Sequence, residues 1–326
     1  MKNHLSLIIL GEIMTEENTP RHTKILIIGS GPAGLAAALY AARANLAPIV
    51  LTGMDLGGQV SKTHAVENYP GFPEGISGEG LVKAFHEQAE RFGTEVIFDL
   101  ATEVDFSERP FRVTTYGEKF TADTLIITTG AAAVTLDIPG EEEMVGRGVS
   151  YCATCDGHFF GGVDVVVVGG GDSALEEALY LTRHASKVTI VHRRDELRAG
   201  SILKQRAEEN PKIHFVWDTI LTEIPTGEKV ASVKTKNVKT GEESAIKTEG
   251  VFIFIGHTPN TELFEGKLPL DDQGYIVVDG LMQTQTEGVY AAGEVADPHF
   301  RQVITSAGMG AGAAIQAIRY IEEKGL

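Results

Sequence analysis

The chain's only two cysteines stand three residues apart, in Cys152-Ala153-Thr154-Cys155-Asp156-Gly157. Such a pair admits three readings. Two close thiols can cycle between dithiol and disulfide, one sulfur attacking and the other leaving while a neighbouring group moves the proton. Cys152, Cys155 and His158 also carry a C-x-x-C-x-x-H spacing, but structural zinc takes four ligands and no further cysteine exists. The pair can also be inert. An inert pair held as a structural disulfide is not expected, because so short a ring adds little stability and such bonds are rare in the cytosol. On the redox reading Asp156 serves as acid/base, although an Asp before Gly is equally a turn residue.

A glycine-rich turn lies on each side of this dithiol. Lys24 to Ile28 reads as a strand, followed by Gly29-Ser30-Gly31-Pro32-Ala33-Gly34 and an Ala-rich helix to about Asn45; Pro48 to Leu51 is the next strand. In G-x-G-x-x-G the first two glycines permit a tight turn and close approach of a pyrophosphate. The third lets the helix pack on the strand, and the helix N–H groups face the phosphates. The acid that usually binds the ribose after the second strand is missing; Thr52 and Gly53 stand there. The pattern restarts with a strand from Val163 to Val168 and the turn Gly169-Gly170-Gly171-Asp172-Ser173-Ala174. A helix follows to about Thr182, then a strand from Lys187 to Val191. After it come His192-Arg193-Arg194 and Arg198. Guanidinium forks match a phosphate, so this cluster reads as recognition of the NADPH 2′-phosphate; a solvated basic turn is the alternative. A dithiol between two dinucleotide turns points to electrons passing from a nicotinamide through a second cofactor to a disulfide.

The elements that must position these residues are α/β in type. The sequence predicts two Rossmann-like, three-layer dinucleotide-binding domains, the second inserted in the first. The expected boundaries are 23–134 with 258–326 for the first and 135–257 for the second. Between the first domain's recognisable parts runs an irregular stretch from Gly57-Gly58-Gln59 to Asn68-Tyr69-Pro70-Gly71, long enough to have a task. A helix is expected from Gly80 to Phe92, then β-type segments to Thr121 and a buried strand from Leu125 to Thr128 that ends at Thr129-Gly130-Ala131. Val251 to Ile255 leads into the hinge-like Gly256-His257-Thr258-Pro259-Asn260. Val289 to Ala292 ends at Gly293-Glu294, and Arg301-Gln302 precede a small-residue helix from Ser306 to about Glu322. Residues 1–22 read as a flexible tail, with Met14 a possible alternative start.

Charge excludes some functions. With 28 basic and 45 acidic residues the net charge is −17, which disfavours nucleic acid and anionic membrane as partners. No apolar run reaches the ~20 residues of a membrane span. Leu5 to Leu10 is too short for a signal-peptide core, and Glu12, Glu16 and Glu17 suit a transit peptide poorly. A cytoplasmic protein is expected, where a close cysteine pair is more often catalytic than structural.

Taken together, the motifs resemble those of the bacterial-type, low-molecular-weight thioredoxin reductase family over roughly residues 23–324. They are GSGPAG at 29–34, GGQ at 57–59, VENYPG at 66–71, TGA at 129–131, CATCDG at 152–157 and GGGDSALEEALYL at 169–181. HRRDELRA at 192–199, GHTPN at 256–260 and RQVITSAG at 301–308 complete the set. The resemblance implies FAD in the discontinuous domain, NADPH in the inserted one, a homodimer, thioredoxin as acceptor and no metal. By position FAD would be lined by Gly29, Gly31, Pro32, Ala33, Gly34, Thr52, Gly58, Gln59, Asn68, Thr129, Gly130, Ala131, Gly293, Glu294, Arg301, Gln302 and Val303. NADPH would be held by Gly169, Gly171, Asp172, Ser173, Ala174, His192, Arg193, Arg194 and Arg198. The resemblance further implies that Cys155 faces the flavin, Cys152 exchanges with thioredoxin and Asp156 protonates. It also implies two alternating domain orientations, with connections near Val134 and His257. The chain departs from the family at Glu294, where Asp is usual, at His158, where an aromatic or small residue is common, and in its N-terminal tail. The expected activity is FAD-dependent NADPH:thioredoxin disulfide reduction. The rivals are a related flavoprotein acting on another protein or small disulfide, and a flavin- and NADPH-binding redox sensor without turnover.

Overall fold

The computed structural model describes residues 19–63 and 65–326; most of the expected tail, Met14 included, lies outside them. The chain forms two compact units. One joins the residues up to Ala132 with Thr258–Leu326, and the other is Ala133–His257, which begins two residues earlier than the expected 135.

In the first unit β1 (Arg21–Ile28), β2 (Ile49–Leu51), β3 (Glu95–Ile97), β4 (Ala101–Asp105), β5 (Phe111–Thr115) and β6 (Lys119–Ile127) form one sheet. Its order is β3-β2-β1-β6-β5-β4, and the late strand Val289–Ala291 pairs with β6. The β3-β2-β1-β6 half is parallel and β4-β5-β6 antiparallel. The alternation along β1 explains why both faces are covered. Ile25 and Ile27 pack under the alanines of α1 (Pro32–Arg43) and the C-terminal helix, while Leu26 and Ile28 join Phe111, Val113 and Phe120 on the other face. α2 (Gly78–Arg91) completes the helices of the first segment.

In the second unit the two-residue strand Val149–Ser150 precedes α3 (Ala153–Asp156), and Asp164–Gly169 begins a second parallel sheet. α4 (Asp172–Leu181), the strand Lys187–Val191, α5 (Ser201–Glu208) and Ile213–Val216 follow; Gly250–Phe254 returns to the sheet. Val165 and Val167 face the helices, whereas Val166 and Val168 face an antiparallel trio, Thr219–Glu223, Ser232–Asn237 and Glu243–Lys247. The second unit is therefore helices on one face of a parallel sheet and antiparallel strands on the other, whereas in the first the antiparallel strands continue the parallel sheet.

Several expected boundaries move, each for a local reason. β1 starts at Arg21, so the expected tail is two residues too long: Arg21 and His22 pair with Phe120 and Thr121, and Arg21 is held by Glu95 at 2.6 Å and Glu118 at 3.1 Å. α1 ends at Arg43, short of Asn45. α2 starts at Gly78 because Ser77 Oγ accepts the Gly80 N–H at 3.0 Å, an N-cap upstream of the expected Gly80. The C-terminal helix α6 spans Val303–Lys324 instead of Ser306 to Glu322, since Gln302 and Thr305 form a reciprocal capping box. Among the described residues no helix is long and apolar enough to cross a membrane.

Candidate active site

Cys152 and Cys155 are joined as a disulfide, with Cα atoms 5.3 Å apart, so they are not presented as a metal-ligand pair. Cys152 caps α3: its Sγ accepts the Cys155 N–H at 3.2 Å and lies 3.4 Å from Thr154 Oγ1. An N–H aimed at sulfur favours a thiolate there. Both cysteines are half-buried, so exposure does not tell them apart. Asp156 Oδ2 accepts the Ser150 hydroxyl at 2.5 Å. Burial raises the Asp156 pKa, and Ser150 and His158 only partly oppose it. A carboxyl whose pKa is raised above its ordinary range is the better placed to hold and give a proton.

Residues that sequence reasoning missed hold this segment. Ala153 N–H donates to Glu177 of α4 at 2.9 Å. Tyr151 donates to buried Glu141 at 2.8 Å, and Glu141 also accepts the Leu136 N–H, so burial and that carboxylate push the tyrosine's pKa well up. Nothing local marks these partners, because they are brought in by the fold. His158 stacks with Phe159 at 3.9 Å, and Phe159 is half exposed.

In the first unit the Gly29–Gly34 turn links β1 to α1 as expected. A Cβ on Gly29 would overlap the Thr128 carbonyl, and one on Gly34 would overlap Gly29. Gly31 differs: a Cβ there would meet nothing within 4 Å, and as the N-cap of α1 it brings no side-chain cap. Open space over uncapped helix N–H groups is what a pyrophosphate requires. Ser30 ties the turn to the following loop, donating towards the Thr52 and Asp55 carbonyls at 3.3 Å and accepting the Gly57 N–H at 3.1 Å. This brings Gly58 to Gly31, within 3.6 Å of a notional Gly58 Cβ, and Gln59 follows it in a 3-10 turn. Gly293 lies against Ala33, which places Glu294 at the same helix start. Asn68 Nδ2 donates to Gln302 Oε1 at 3.1 Å, joining two predicted residues 234 apart. Thr129, Gly130 and Ala131 sit at the end of β6, where Asn260 Nδ2 donates to the Thr129 carbonyl and Thr129 Oγ1 to the Asn260 carbonyl, both at 2.7 Å. Burial raises the Glu294 pKa, opposed by Arg301, whose guanidinium donates to the Pro298 carbonyl at 2.8 Å. Thr52 is buried with its hydroxyl on its own Gly53 carbonyl, and Val303 packs with Leu35 and Val60; neither offers a side-chain donor.

The second turn repeats the design. Gly169 has φ +153 against the Phe254 carbonyl and Ala174, whereas a Cβ on Gly171, N-cap of α4, would meet nothing within 4 Å. Ser173 is exposed on the first helical turn. Asp172 Oδ1 instead accepts the Gly200 N–H at 2.7 Å and pins the loop that carries the arginines. His192 is buried, its ring against Gly170 and its Nε2 3.1 Å from the Glu196 carbonyl; burial lowers its pKa. Its place is beneath the loop. Exposed Arg193, Arg194 and Arg198 line a basin of about 420 Å³ and enter no ion pair among the described residues. The acids of that basin are paired with lysines, Asp195 at 2.7 Å and Asp218 at 3.0 Å with Lys239, which also lines it, and Glu196 at 3.4 Å with Lys204. Lys239 was also missed, arriving from a distant hairpin.

Both glycine turns and the disulfide thus have the geometry that a two-nucleotide disulfide oxidoreductase needs. The family model for pyridine nucleotide-disulphide oxidoreductases matches residues 23–310. The chain is 52% identical over 306 residues to the thioredoxin reductase of Rickettsia felis, covering 92% of this chain and 99% of that one. It is 50% identical to the Streptomyces coelicolor thioredoxin reductase over 90% of this chain and 92% of that one. The crystal structure of Streptococcus pyogenes thioredoxin reductase is similar with a TM-score of 0.89 at 44% identity, covering 94% of this chain and 100% of that one. The chain therefore belongs to the pyridine nucleotide-disulphide oxidoreductase family, within its thioredoxin reductases.

Proposed function

We propose that the protein is an FAD-dependent NADPH:thioredoxin disulfide reductase, acting in the cytoplasm as a homodimer. The observation that carries this reading is the closed Cys152–Cys155 disulfide with a half-buried, hydroxyl-bonded Asp156 beside it. The N–H groups at the start of α1, with Gly31, Gly58, Asn68, Gly130, Glu294 and Gln302, would hold FAD. Gly171, Ser173 and the exposed Arg193, Arg194 and Arg198 would hold NADPH and its 2′-phosphate. When bound, NADPH supplies a hydride and FAD the two-electron relay to a disulfide. The reduced pair then exchanges with thioredoxin. Cys152, whose thiolate the Cys155 N–H stabilises, attacks one sulfur of the thioredoxin disulfide and the other leaves as a thiolate. Cys155 next attacks Cys152 Sγ in the mixed disulfide, which restores Cys152–Cys155 and releases the second thioredoxin sulfur. Two electrons pass to thioredoxin, and Asp156 gives a proton to a departing thiolate. The dimer is supported by the α1–α6 face, which leaves Tyr40 and Ile304 exposed at an apolar hollow of about 260 Å³.

The test is NADPH oxidation with thioredoxin as acceptor, in parallel with each Cys→Ser variant. Neither variant is expected to turn over, and Cys155→Ser should accumulate a mixed disulfide through Cys152 with a thioredoxin that lacks its resolving cysteine. Sustained thioredoxin reduction by either variant, or trapping through Cys155 alone, overturns the scheme.

A further inference from the structure

Ser150 ends the strand before the dithiol and is 4% exposed. Its Oγ lies 2.5 Å from Asp156 Oδ2 and 3.2 Å from the Cys152 carbonyl oxygen, and it accepts the Cys152 N–H at 3.1 Å. A hydroxyl has one hydrogen and two acceptor sites. The Cys152 N–H fills one acceptor site whatever the state of the acid. When Asp156 is ionised, the single hydrogen goes to its carboxylate as a charge-assisted bond. When Asp156 is protonated, its own O–H can fill the second acceptor site and the serine hydrogen can turn to the Cys152 carbonyl. The same three groups satisfy both states, and only the hydroxyl rotates.

We propose that Ser150 is the positioning residue of proton transfer at the dithiol: it holds Asp156 in both protonation states and couples them to the backbone of Cys152. The proposal rests on Asp156 being the acid/base. Ser150 gives Asp156 a side-chain hydrogen bond from within its own segment. The other titratable groups around the segment are His158, whose charge favours the ionised acid, Glu177, which holds the Ala153 N–H, and Tyr180 and His184 of the α4 region, which flank Gly157.

The experiment compares Ser150→Ala, Asp156→Asn, the double variant and Ser150→Thr in the holoenzyme, reading the pH profile of thioredoxin reduction. Ser150→Ala removes a donor to the charged form, so the acid stays protonated to higher pH. The limb belonging to Asp156 should move up by about one to two pH units, the equivalent of one charge-assisted hydrogen bond. In the Asp156→Asn background the same substitution should change the rate less than about twofold, because no titrating acid remains for Ser150 to act on. Ser150→Thr keeps a hydroxyl and should keep the parent profile. An unshifted profile in Ser150→Ala, a full additive loss in the double variant, or an Ala-like profile in Ser150→Thr each overturns the proposal. A parental rate in Asp156→Asn overturns the acid/base reading and this proposal with it, and is distinguished by being the only one of these results in which the Asp156 single variant is unaffected.

Discussion

At the scale of the residue, the site concentrates cost where it concentrates chemistry. Asp156 is half-buried and its desolvation raises its pKa, so its ionised form is disfavoured in the fold relative to the unfolded chain. Below the ordinary carboxyl pKa of ~3.9 both states are protonated and no penalty exists. As pH rises through the raised folded pKa the penalty develops and folded stability falls. Asp156→Asn lacks this titration and can still donate to Ser150. We therefore expect its Tm to exceed the parent's at pH 7–8 by ~2–4 °C for each kcal/mol of penalty, with the gap closing towards pH 4. A constant gap, or a parent that is more stable at neutral pH, would show that the charged form is not disfavoured. Cys152, Cys155, Asp156 and the arginine cluster were legible because each is a local pattern. Thr52 and His192 show what local pattern omits, since both occupy motif positions yet turn inward. Ser150 and Lys239 lie outside the quoted motifs and Glu177 lies within the 169–181 run with no role assigned there; Glu177 and Lys239 meet their partners only through the fold.

At the scale of the element, two glycines of α6 make opposite predictions from one helix. Gly310 lies on α1, where a Cβ would overlap the Ala33 carbonyl; at Gly308 a Cβ would meet nothing within 4 Å. Alanine gains up to ~1 kcal/mol of helix propensity at either position. Against this, forcing atoms into a packed helix contact costs ~1–3 kcal/mol. The second effect exists only at Gly310, and backbone cannot step aside as a long side chain can. Gly310→Ala should lower Tm by several degrees and Gly308→Ala should leave it unchanged or raise it, as read by thermal unfolding. A Gly310→Ala protein as stable as Gly308→Ala would mean that α1 and α6 do not pack so closely. That this helix was small-residue was evident from sequence, and so was the strand–turn–helix repeat. Its true start was not, because the Gln302–Thr305 capping box depends on backbone geometry.

At the scale of the whole molecule, two units with separate cores carry one turn each, and this makes the nucleotide sites separable by mutation. Ile25, Ile27 and the alanines of α1 and α6 form a core in the first unit, while Val165, Val167, Leu175 and Leu181 form one in the second. Glu294 belongs to the first and is retained as a carboxylate one methylene longer than the family's usual Asp. Glu294→Ala should release flavin on dialysis while Glu294→Asp keeps it. Both should bind 2′,5′-ADP as the parent does, because nothing in the arginine basin changes. Arg193→Ala with Arg194→Ala should reverse the pattern. Each charge-assisted hydrogen bond is worth ~1.5–3 kcal/mol, so losing both weakens 2′,5′-ADP at least ~10-fold. Plain ADP should scarcely change and flavin should stay bound. The chain's single tryptophan suits the measurement: Trp217 stacks on Phe215 at 4.9 Å and meets the His192 ring edge-on at 6.4 Å, beneath the arginine loop. Its fluorescence, titrated with each nucleotide, follows the second site, while flavin absorbance follows the first. If the arginine variant lost ADP and 2′,5′-ADP equally, the cluster would not be reading the 2′-phosphate. If it also lost flavin, the sites would not be independent, and a shared stability defect would be the simpler account.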